Sequence, residues 1–470
     1  MLDFLPMRQS ARLLPVVLLL PLAALAAAAP PPATHAAKTA TPAAVAKVLA
    51  TVSPDRLRSD IDHLAGFGTR HTLSDTVSET RGIGAARRWI AAQFELAAKT
   101  SGRSGAEAMT VRFDGYTQKA DGKRVPSDTE IVDVVAELPG SMPAARARRV
   151  YVVGHYDSRA SDPNDATSDA PGANDDGSGT ATLLELARVL APVRTDATIV
   201  LLATAGEEQG LFGAKHHAEA AREQGLDIEA VLNNDIVGDP SPRGGRHDRE
   251  IRVFSEGLPV GSTAEQAAAI RGLAAESDSP SRELARYVAE VARGERLEIA
   301  PQLIFRPDRF LRGGDHMAFN QAGYAAVRFT TVEENYDRQH QNVRRENGID
   351  YGDVPARVDP QYLARVVRLN AAAALHLANA PAPPANVRVV TAELGYDTVL
   401  RWSAPPEPDL AGCEAVWRST TSPTWERAQD AGRATEITLP LNKDDVLLGV
   451  RCYDRDGYRS PVAFARIGKD

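Results

Sequence analysis

Histidine and carboxylate side chains that could bind a metal or move a proton follow several apolar, strand-like runs of this 470-residue chain. In chain order they are His155, Asp157, Asp175, Glu207, Glu208, Asp235 and His340. Imidazole nitrogens and carboxylate oxygens together form a donor set that suits Zn²⁺, with Mn²⁺ and Co²⁺ as alternatives. Neither of the two cysteines lies near these residues, so a thiolate zinc site and Cys–His catalysis have no support.

Each motif has an ordinary explanation when it is taken alone. A His-x-Asp sequence usually lies on the surface, Asp-Asp-Gly is common in turns and helix caps, and adjacent glutamates usually face solvent. Asp235 is less ordinary because it interrupts an apolar run, and a buried carboxylate needs a partner. Taken together, the motifs indicate a binding site more strongly than any of them does alone. Ligands of open parallel sheets bind beyond the carboxyl ends of the strands, and all of these motifs are predicted to lie there.

The elements that must position these residues alternate between strand-like and helical segments. Thr198 to Thr204 is apolar throughout, as expected of a strand buried on both faces. Gly179 to Leu190 and Gln361 to Leu377 have helical periodicity. The alternation predicts an α/β fold with a mixed, mostly parallel sheet and helices on both faces, followed by a small all-β sandwich.

Composition divides the chain into five segments. Arg8 and Arg12 precede an apolar run that ends in small residues, which is typical of a signal peptide. The segments are a signal peptide (1–29), a flexible leader rich in Ala and Pro (30–50), a large α/β domain (51–378), a linker (379–385) and the β-sandwich (386–470). The signal peptide predicts a periplasmic or secreted protein with no stable membrane insertion after cleavage.

The net charge of the chain argues against one class of partner, the nucleic acids. The chain has 62 acidic and 54 basic residues, which gives a net charge of −8. Nucleic-acid-binding proteins usually present a basic surface, so we predict no nucleic-acid partner.

In the motifs GHYDS, GANDDGSG and AGEEQGLFG the sequence resembles the co-catalytic di-zinc exopeptidases. This family includes secreted bacterial leucyl aminopeptidases, glutamate carboxypeptidase II and the glutaminyl cyclases. The resemblance covers roughly residues 54–378, and it includes the upstream segment GFGTRHTLSDT. It implies two zinc ions per chain: His155 and Asp235 would hold one ion, Glu208 and His340 the other, and Asp175 would bridge both.

The resemblance also implies roles in catalysis. Glu207 would act as the general base that takes a proton from a metal-bound water and passes it to the leaving amine. Asp157 would orient His155. The implied activity is aminopeptidase hydrolysis of peptides with a free N-terminus. The family further implies a cis peptide bond between Asp175 and Asp176.

One stretch departs from the family pattern. Secreted aminopeptidases of this type carry a tyrosine shortly before an Asp-His pair, where it is thought to help hold the oxyanion. The stretch before Asp315 and His316 has no tyrosine. Arg309 or Arg312 could replace it, or the metals alone could stabilise the oxyanion. We found no arginine clamp for a substrate carboxylate in the motifs, which favours an aminopeptidase over a carboxypeptidase.

The C-terminal segment resembles a fibronectin type III module in NVRVV, TVLRW and VLLGVRCYDRDGYRS. Such modules usually act as attachment or spacer domains, so this one is expected to bind a surface or a partner. Cys413 and Cys452 would lie on antiparallel neighbouring strands of such a module. The resemblance therefore implies a disulfide, with two buried thiols as the alternative.

Two other functions stay open. A glutaminyl cyclase-like acyltransferase typically uses one zinc ion and would not need His155. A non-enzymatic binding protein on the same fold would have lost its metals, whereas this sequence retains every ligand position and the base.

Overall fold

The computed structural model describes residues 43–241, 245–391 and 395–468. The predicted signal peptide and the first part of the predicted leader lie outside these residues. The helices are α1 (Ala43–Ala50), α2 (Pro54–Gly66), α3 (Gly82–Thr100), α4 (Gly177–Leu190), α5 (Glu207–Gly210), α6 (Phe212–Glu223), α7 (Ala264–Gly272), α8 (Pro280–Gly294), α9 (His316–Gln321) and α10 (Pro360–Asn379).

A large mixed sheet forms the centre of the α/β domain. Its strands are β1 (Thr110–Gln118), β2 (Thr129–Leu138), β3 (Arg148–His155), β4 (Thr198–Thr204), β5 (Asp227–Asn234), β6 (Glu250–Ser255), β7 (Ala300–Ile304) and β8 (Ala326–Thr330). Their order is β1-β2-β4-β3-β5-β8-β6-β7. The four central strands β4, β3, β5 and β8 run parallel, while β2 pairs antiparallel with β4 and β6 antiparallel with β8. The predicted fold class is confirmed.

Side chains of the central strands point alternately to the two faces of the sheet, and both faces are buried. Val150 and Val152 of β3 join a core that contains residues of α1, α2, α3, α4, α8 and α10. Tyr151 and Val153 point the other way, into a core with residues of α6 and α9. Because side chains alternate along a strand, one continuous apolar run serves both layers.

The start of the domain differs from the prediction. Residues 43–50, which their composition assigned to a flexible leader, form α1. Val45, Val48 and Leu49 are buried there and pack into the main core. The Ala-rich sequence therefore carries a short amphipathic helix, and its apolar face is stabilised by contact with α10 and α4.

Within the α/β domain a short hairpin, β9 (Arg344–Glu346) and β10 (Ile349–Tyr351), precedes α10. The C-terminal strands are β11 (Ala385–Val390), β12 (Thr398–Ser403), β13 (Leu410–Ser419), β14 (Arg427–Gly432), β15 (Glu436–Leu439), β16 (Val446–Asp454), β17 (Ala463–Phe464) and β18 (Arg466–Gly468). They form two four-stranded sheets, β15-β12-β11-β18 and β14-β13-β16-β17. The two sheets share one apolar core, as predicted for a small β-sandwich.

The predicted disulfide is confirmed. Cys413 and Cys452 face each other across β13 and β16 and are bonded. The fibronectin type III resemblance of this sandwich stays a prediction.

The sandwich packs on helix α8 through polar and charged contacts. Trp425 Nε1 lies 3.1 Å from Glu283 Oε2 and donates to it. Arg451 pairs with Glu290 at 2.7 Å, and the Tyr287 hydroxyl donates to the Arg459 carbonyl at 2.8 Å. One face of the sandwich is thus occupied by the α/β domain.

No helix in the described parts of the chain is both long and apolar enough to cross a bilayer.

Candidate metal centre

The predicted site residues meet at one edge of the large sheet. His155 ends β3, Glu207 and Glu208 begin α5 just after β4, and Asp235 directly follows β5. Asp175 precedes α4, and His340 lies in the loop after β8. Because β4, β3, β5 and β8 run parallel, their carboxyl ends meet at the same edge.

The ligand atoms form two adjoining groups. In each group, one atom per residue lies within 4.8 Å of the others. The first group is His155, Glu207 and Asp235, and the second is Asp175, Glu208 and His340. Glu207, which the resemblance assigns as a base, is therefore close enough to the first group to count geometrically among its donors.

Asp175 lies between the two histidines. Its Oδ1 is 3.3 Å from His155 Nε2, and its Oδ2 is 2.9 Å from His340 Nε2. His340 Nε2 is also 3.0 Å from Glu208 Oε1. One carboxylate therefore presents an oxygen to each group, which is the arrangement that a bridging ligand requires.

Asp176 connects three of the segments that carry ligands. Its carboxylate accepts the backbone N–H of His155 at 3.2 Å, of Gly179 at 2.9 Å and of Ile236 at 3.3 Å. These contacts link the ends of β3 and β5 to the start of α4. The Asp175–Asp176 peptide bond is cis, as the resemblance implied.

Asp157 has a different main contact from the one predicted. Its Oδ1 is 3.5 Å from His155 Nδ1, while its own backbone oxygen is closer, at 3.2 Å. The carboxylate instead accepts the backbone N–H groups of Glu207 and Glu208 at 3.3 and 3.2 Å. It also accepts the Thr72 hydroxyl at 2.8 Å. Asp157 therefore holds the Glu207–Glu208 turn as well as lying beside the histidine.

Arg328 is a buried cation beside the site. Its Nη2 lies 2.9 Å from Asp235 Oδ1, and its Nη1 lies 3.1 Å from Asp308 Oδ2. Nη1 also donates to the Gly313 carbonyl at 2.8 Å. Arg328 is fully buried on β8, so its guanidinium holds the Asp235 carboxylate in place. Sequence reasoning missed this residue because it is an isolated arginine in an apolar strand.

The electrostatics of the site favour added positive charge. Burial alone would lower the pKa of His340, but Glu208 and Asp175 outweigh it and raise that pKa to about 10. Burial would also lower the pKa of His155, but four carboxylates outweigh it. They raise the pKa of this imidazole well above its usual range, and they belong to Glu207, Asp157, Asp175 and Asp235. The surrounding carboxylates thus favour positive charge at both imidazoles, and a metal cation would be favoured by the same negative charges.

The residues present fit a pair of divalent cations. The buried His155 Nε2 and Glu208 Oε1 make no hydrogen bond to any described residue, although each lies within 3.3 Å of a polar atom of the site. Polar atoms that converge in this way without bonding one another are expected around an ion. The set of imidazoles and carboxylates without thiolates suits zinc.

Two further residues hold Asp175, the candidate bridging ligand, in position. The Asp353 carboxylate accepts the backbone N–H of Asn174 at 2.9 Å and of Asp175 at 2.7 Å. Gln339 Nε2 donates to Asp175 Oδ2 at 3.0 Å. Gln339 directly precedes the predicted ligand His340, whereas nothing in the local sequence of Asp353 indicated its contact with residues far upstream.

The stretch without the family's tyrosine has a defined structure. Arg309 Nε lies 3.0 Å from Asp308 Oδ1, and its Nη1 lies 2.5 Å from Glu334 Oε2, so it is a structural residue. Arg312 Nη1 donates instead to Gln339 Oε1 at 3.3 Å. Of the two arginines, Arg312 is the one connected to the site.

Comparison with known proteins agrees with this geometry. The sequence profile of peptidase family M28 matches residues 133–355. A probable zinc metalloprotease of Leptosphaeria maculans is 46% identical over 416 residues, which cover 88% of this chain and 94% of that protein. The chain belongs to peptidase family M28. It is a zinc metalloprotease of that family.

A second relative and a solved structure add to this comparison. A probable zinc metalloprotease of Pyricularia oryzae is 44% identical over 422 residues, 88% of this chain and 82% of that protein. The crystal structure of the LapA aminopeptidase of Legionella pneumophila matches this chain with a TM-score of 0.51 and 19% sequence identity. The match covers 71% of this chain and 72% of the LapA chain. At this level of identity the structure supports the shared fold.

Proposed function

We propose that this M28 metallopeptidase is an exported aminopeptidase that uses two zinc ions and removes N-terminal residues from peptides with a free N-terminus. The observation that carries the proposal is the position of Asp175, whose two oxygens face His155 and His340 at 3.3 and 2.9 Å. Export is supported by the signal-like sequence of residues 1–29.

His155 and Asp235 would hold one zinc ion, Glu208 and His340 the other, and Asp175 would bridge them. When bound, paired zinc ions polarise the scissile carbonyl and lower the pKa of water. Mn²⁺ and Co²⁺ are alternative metals for the same donors.

Glu207 is the proposed general base. It is partly exposed, in contrast to its buried neighbour Glu208. Burial raises the pKa of its carboxyl well above the usual range, and Asp235 and Glu208 add to the shift while His155 opposes it. A carboxylate in this position can take a proton from the attacking water and return it to the leaving amine. The direction of attack, from the N-terminus, rests on the resemblance to secreted leucyl aminopeptidases.

The test is a panel of aminoacyl chromogenic substrates measured beside N-blocked substrates and substrates that report release of a C-terminal residue. Each is measured before and after chelation, and again after zinc is restored. We expect cleavage of the aminoacyl substrates alone, loss on chelation and recovery with zinc. Cleavage of the N-blocked substrates, or full activity without metal, would overturn the proposal.

A further inference from the structure

Three arginines from separate loops contact residues on the Glu208–His340 side of the candidate metal centre, and we call them the arginine rim. Arg124 Nη1 lies 3.3 Å from the Glu208 carbonyl oxygen, and Arg159 Nη1 lies 4.0 Å from Glu208 Oε2. Arg312 Nη1 donates to Gln339, the neighbour of His340. The segments that carry them precede β2, follow β3 and precede α9.

The rim arginines differ in their pairing from other arginines near the site. Neither Arg124 nor Arg312 forms an ion pair with a described carboxylate, and the ion pair of Arg159 is with the candidate ligand Glu208. Arg309 and Arg338, by contrast, pair directly with Glu334 and Asp239. The charges of Arg124 and Arg312 are therefore not paired with a carboxylate of the described residues.

Charge at the centre itself is expected to balance. Four carboxylates belong to the two ligand groups, those of Asp175, Glu207, Glu208 and Asp235. Two divalent cations would offset these four negative charges. With the metals in place, the rim adds positive charge beside the ligand groups, and positive charge in a cleft attracts anionic substrates.

Two of the three rim guanidinium groups, those of Arg124 and Arg312, have hydrogen-bonding capacity to spare, whereas Arg159 already donates to the carbonyls of Ala160 and Ser161. All three arginines are partly exposed. Arg124 and Arg312 each donate to the described chain from Nη1 only. A guanidinium has five N–H donors and binds a carboxylate through two parallel hydrogen bonds. The remaining donors therefore suit a carboxylate that arrives with the substrate.

We propose that the arginine rim binds a carboxylate of the peptide substrate, so that the enzyme prefers short peptides that carry a negative charge. The inference rests on the proposed aminopeptidase function and names its substrate class. The carboxylate can belong to an acidic side chain or to the peptide's own C-terminus. These sources share one chemistry and can be separated by experiment.

The experiment compares four peptides on the zinc-loaded enzyme. Ala-Ala-amide is the neutral reference, and Glu-Ala-amide, Ala-Glu-amide and Ala-Ala each add one carboxylate at a different position. We expect at least one of the three to exceed the reference in kcat/KM by about 10- to 100-fold, as hydrogen bonds to charged groups usually contribute. The preferred peptide identifies the source of the carboxylate.

Matched variants show whether the rim causes the preference. Arg124→Gln, Arg159→Gln and Arg312→Gln should each reduce the preference for the charged peptides over Ala-Ala-amide by about 10-fold. Arg→Lys at the same positions should restore part of it, because the charge remains but the planar fork is lost. Arg194→Gln is the control, because Arg194 is exposed and pairs with Glu107 at 2.9 Å, outside the rim.

Binding measurements separate this inference from the proposed function. Calorimetry on zinc-loaded Glu207→Gln measures the affinity for the same four peptides without turnover. If the charged peptides bind no more tightly than Ala-Ala-amide, the rim proposal is overturned even when all four are cleaved. Cleavage of acetyl-Ala-Ala with none of Ala-Ala-amide would overturn the aminopeptidase direction, while tighter binding of the charged peptides would still support the rim.

Discussion

At the scale of single residues, Glu207 and Glu208 show how neighbouring identical side chains reach different positions. Gly206 has a left-handed backbone, with φ of 75°, which turns the chain sharply after β4. Asp157 then holds the next two backbone N–H groups. As a result Glu208 faces Asp175 and His340, while Glu207 faces His155 and Asp235.

This geometry predicts different effects for the two substitutions. Glu207→Gln keeps the size of the side chain and removes its basicity, so we expect kcat to fall by about 10²–10⁴ with zinc content retained. Glu208→Gln should instead lower zinc content, because it replaces a charged ligand. Steady-state kinetics and metal analysis on both variants provide the measurement. Loss of zinc in Glu207→Gln but not in Glu208→Gln would show that Glu207 is the ligand.

At the scale of elements, the start of α4 packs unusually close to its neighbours. A Cβ on Gly179 would lie 2.2 Å from Asp176 Oδ2 and 2.3 Å from the Asn234 carbonyl oxygen. Only a residue without a side chain leaves room for Asp176 to hold β3, β5 and α4 together. The glycine is thus required by close approach to the site.

Gly179→Ala is expected to destabilise the protein by about 1–3 kcal/mol, the usual cost of overpacking. It should also lower zinc content, because Asp176 would be displaced. Gly66→Ala is the control, since an added Cβ there meets no atom within 4 Å. Denaturant unfolding and metal analysis test both variants. A Gly179→Ala protein with wild-type stability and zinc content would contradict the close packing.

A second prediction at this scale concerns Asp353, which lies just after the hairpin β9–β10. Asp353 accepts the backbone N–H groups that set the position of Asp175. Asp353→Asn loses one of the two acceptor oxygens, so zinc affinity should fall by about 10- to 100-fold, as is usual for residues that orient a metal ligand. Asp350→Asn, on the exposed hairpin, is the control. Chelator competition measures both, and equal affinities would remove Asp353 from the site.

At the scale of the whole molecule, the contact between the α/β domain and the sandwich contains buried charges. Glu283 on α8 is 4% exposed and accepts Trp425 Nε1 and the Val462 N–H. Burial raises its pKa to about 7, although Arg286 opposes the shift. The sandwich therefore contacts α8 through a buried carboxyl group whose pKa is raised in the folded state.

A raised carboxyl pKa makes the folded state bind more protons than the unfolded chain. The stabilisation that Glu283 contributes is fully present below the pKa that this residue has in the unfolded chain. It is lost as pH rises through about 7, the pKa of Glu283 in the folded state. We expect the free energy of unfolding to fall between pH 4.5 and 8 by on the order of 3 kcal/mol from this group. Glu283→Gln should flatten that dependence, whereas Glu265→Gln, at an exposed position of α7, should not. Urea unfolding across this pH range tests it, and an unchanged pH profile in Glu283→Gln would refute the assignment.

The sequence by itself determined the local features of this protein. Apolar runs and helical periodicity predicted the α/β fold, because side-chain burial follows the period of each element. The site residues were predicted because each motif follows a strand, and parallel strands bring their ends together. The disulfide and the cis Asp175–Asp176 bond were implied by resemblance, and both are present.

Only the tertiary structure decided which distant residues complete the site. Arg328, Asp353 and Gln339 contact ligands that lie far away in the chain, and such contacts leave no local pattern. The composition of residues 30–50, rich in Ala and Pro, predicts a flexible leader, yet residues 43–50 form helix α1, which contact with α10 stabilises. The rim arginines come from three loops whose proximity depends on the order of the strands. Local periodicity fixes which face of an element is buried, whereas long-range packing fixes which side chains meet.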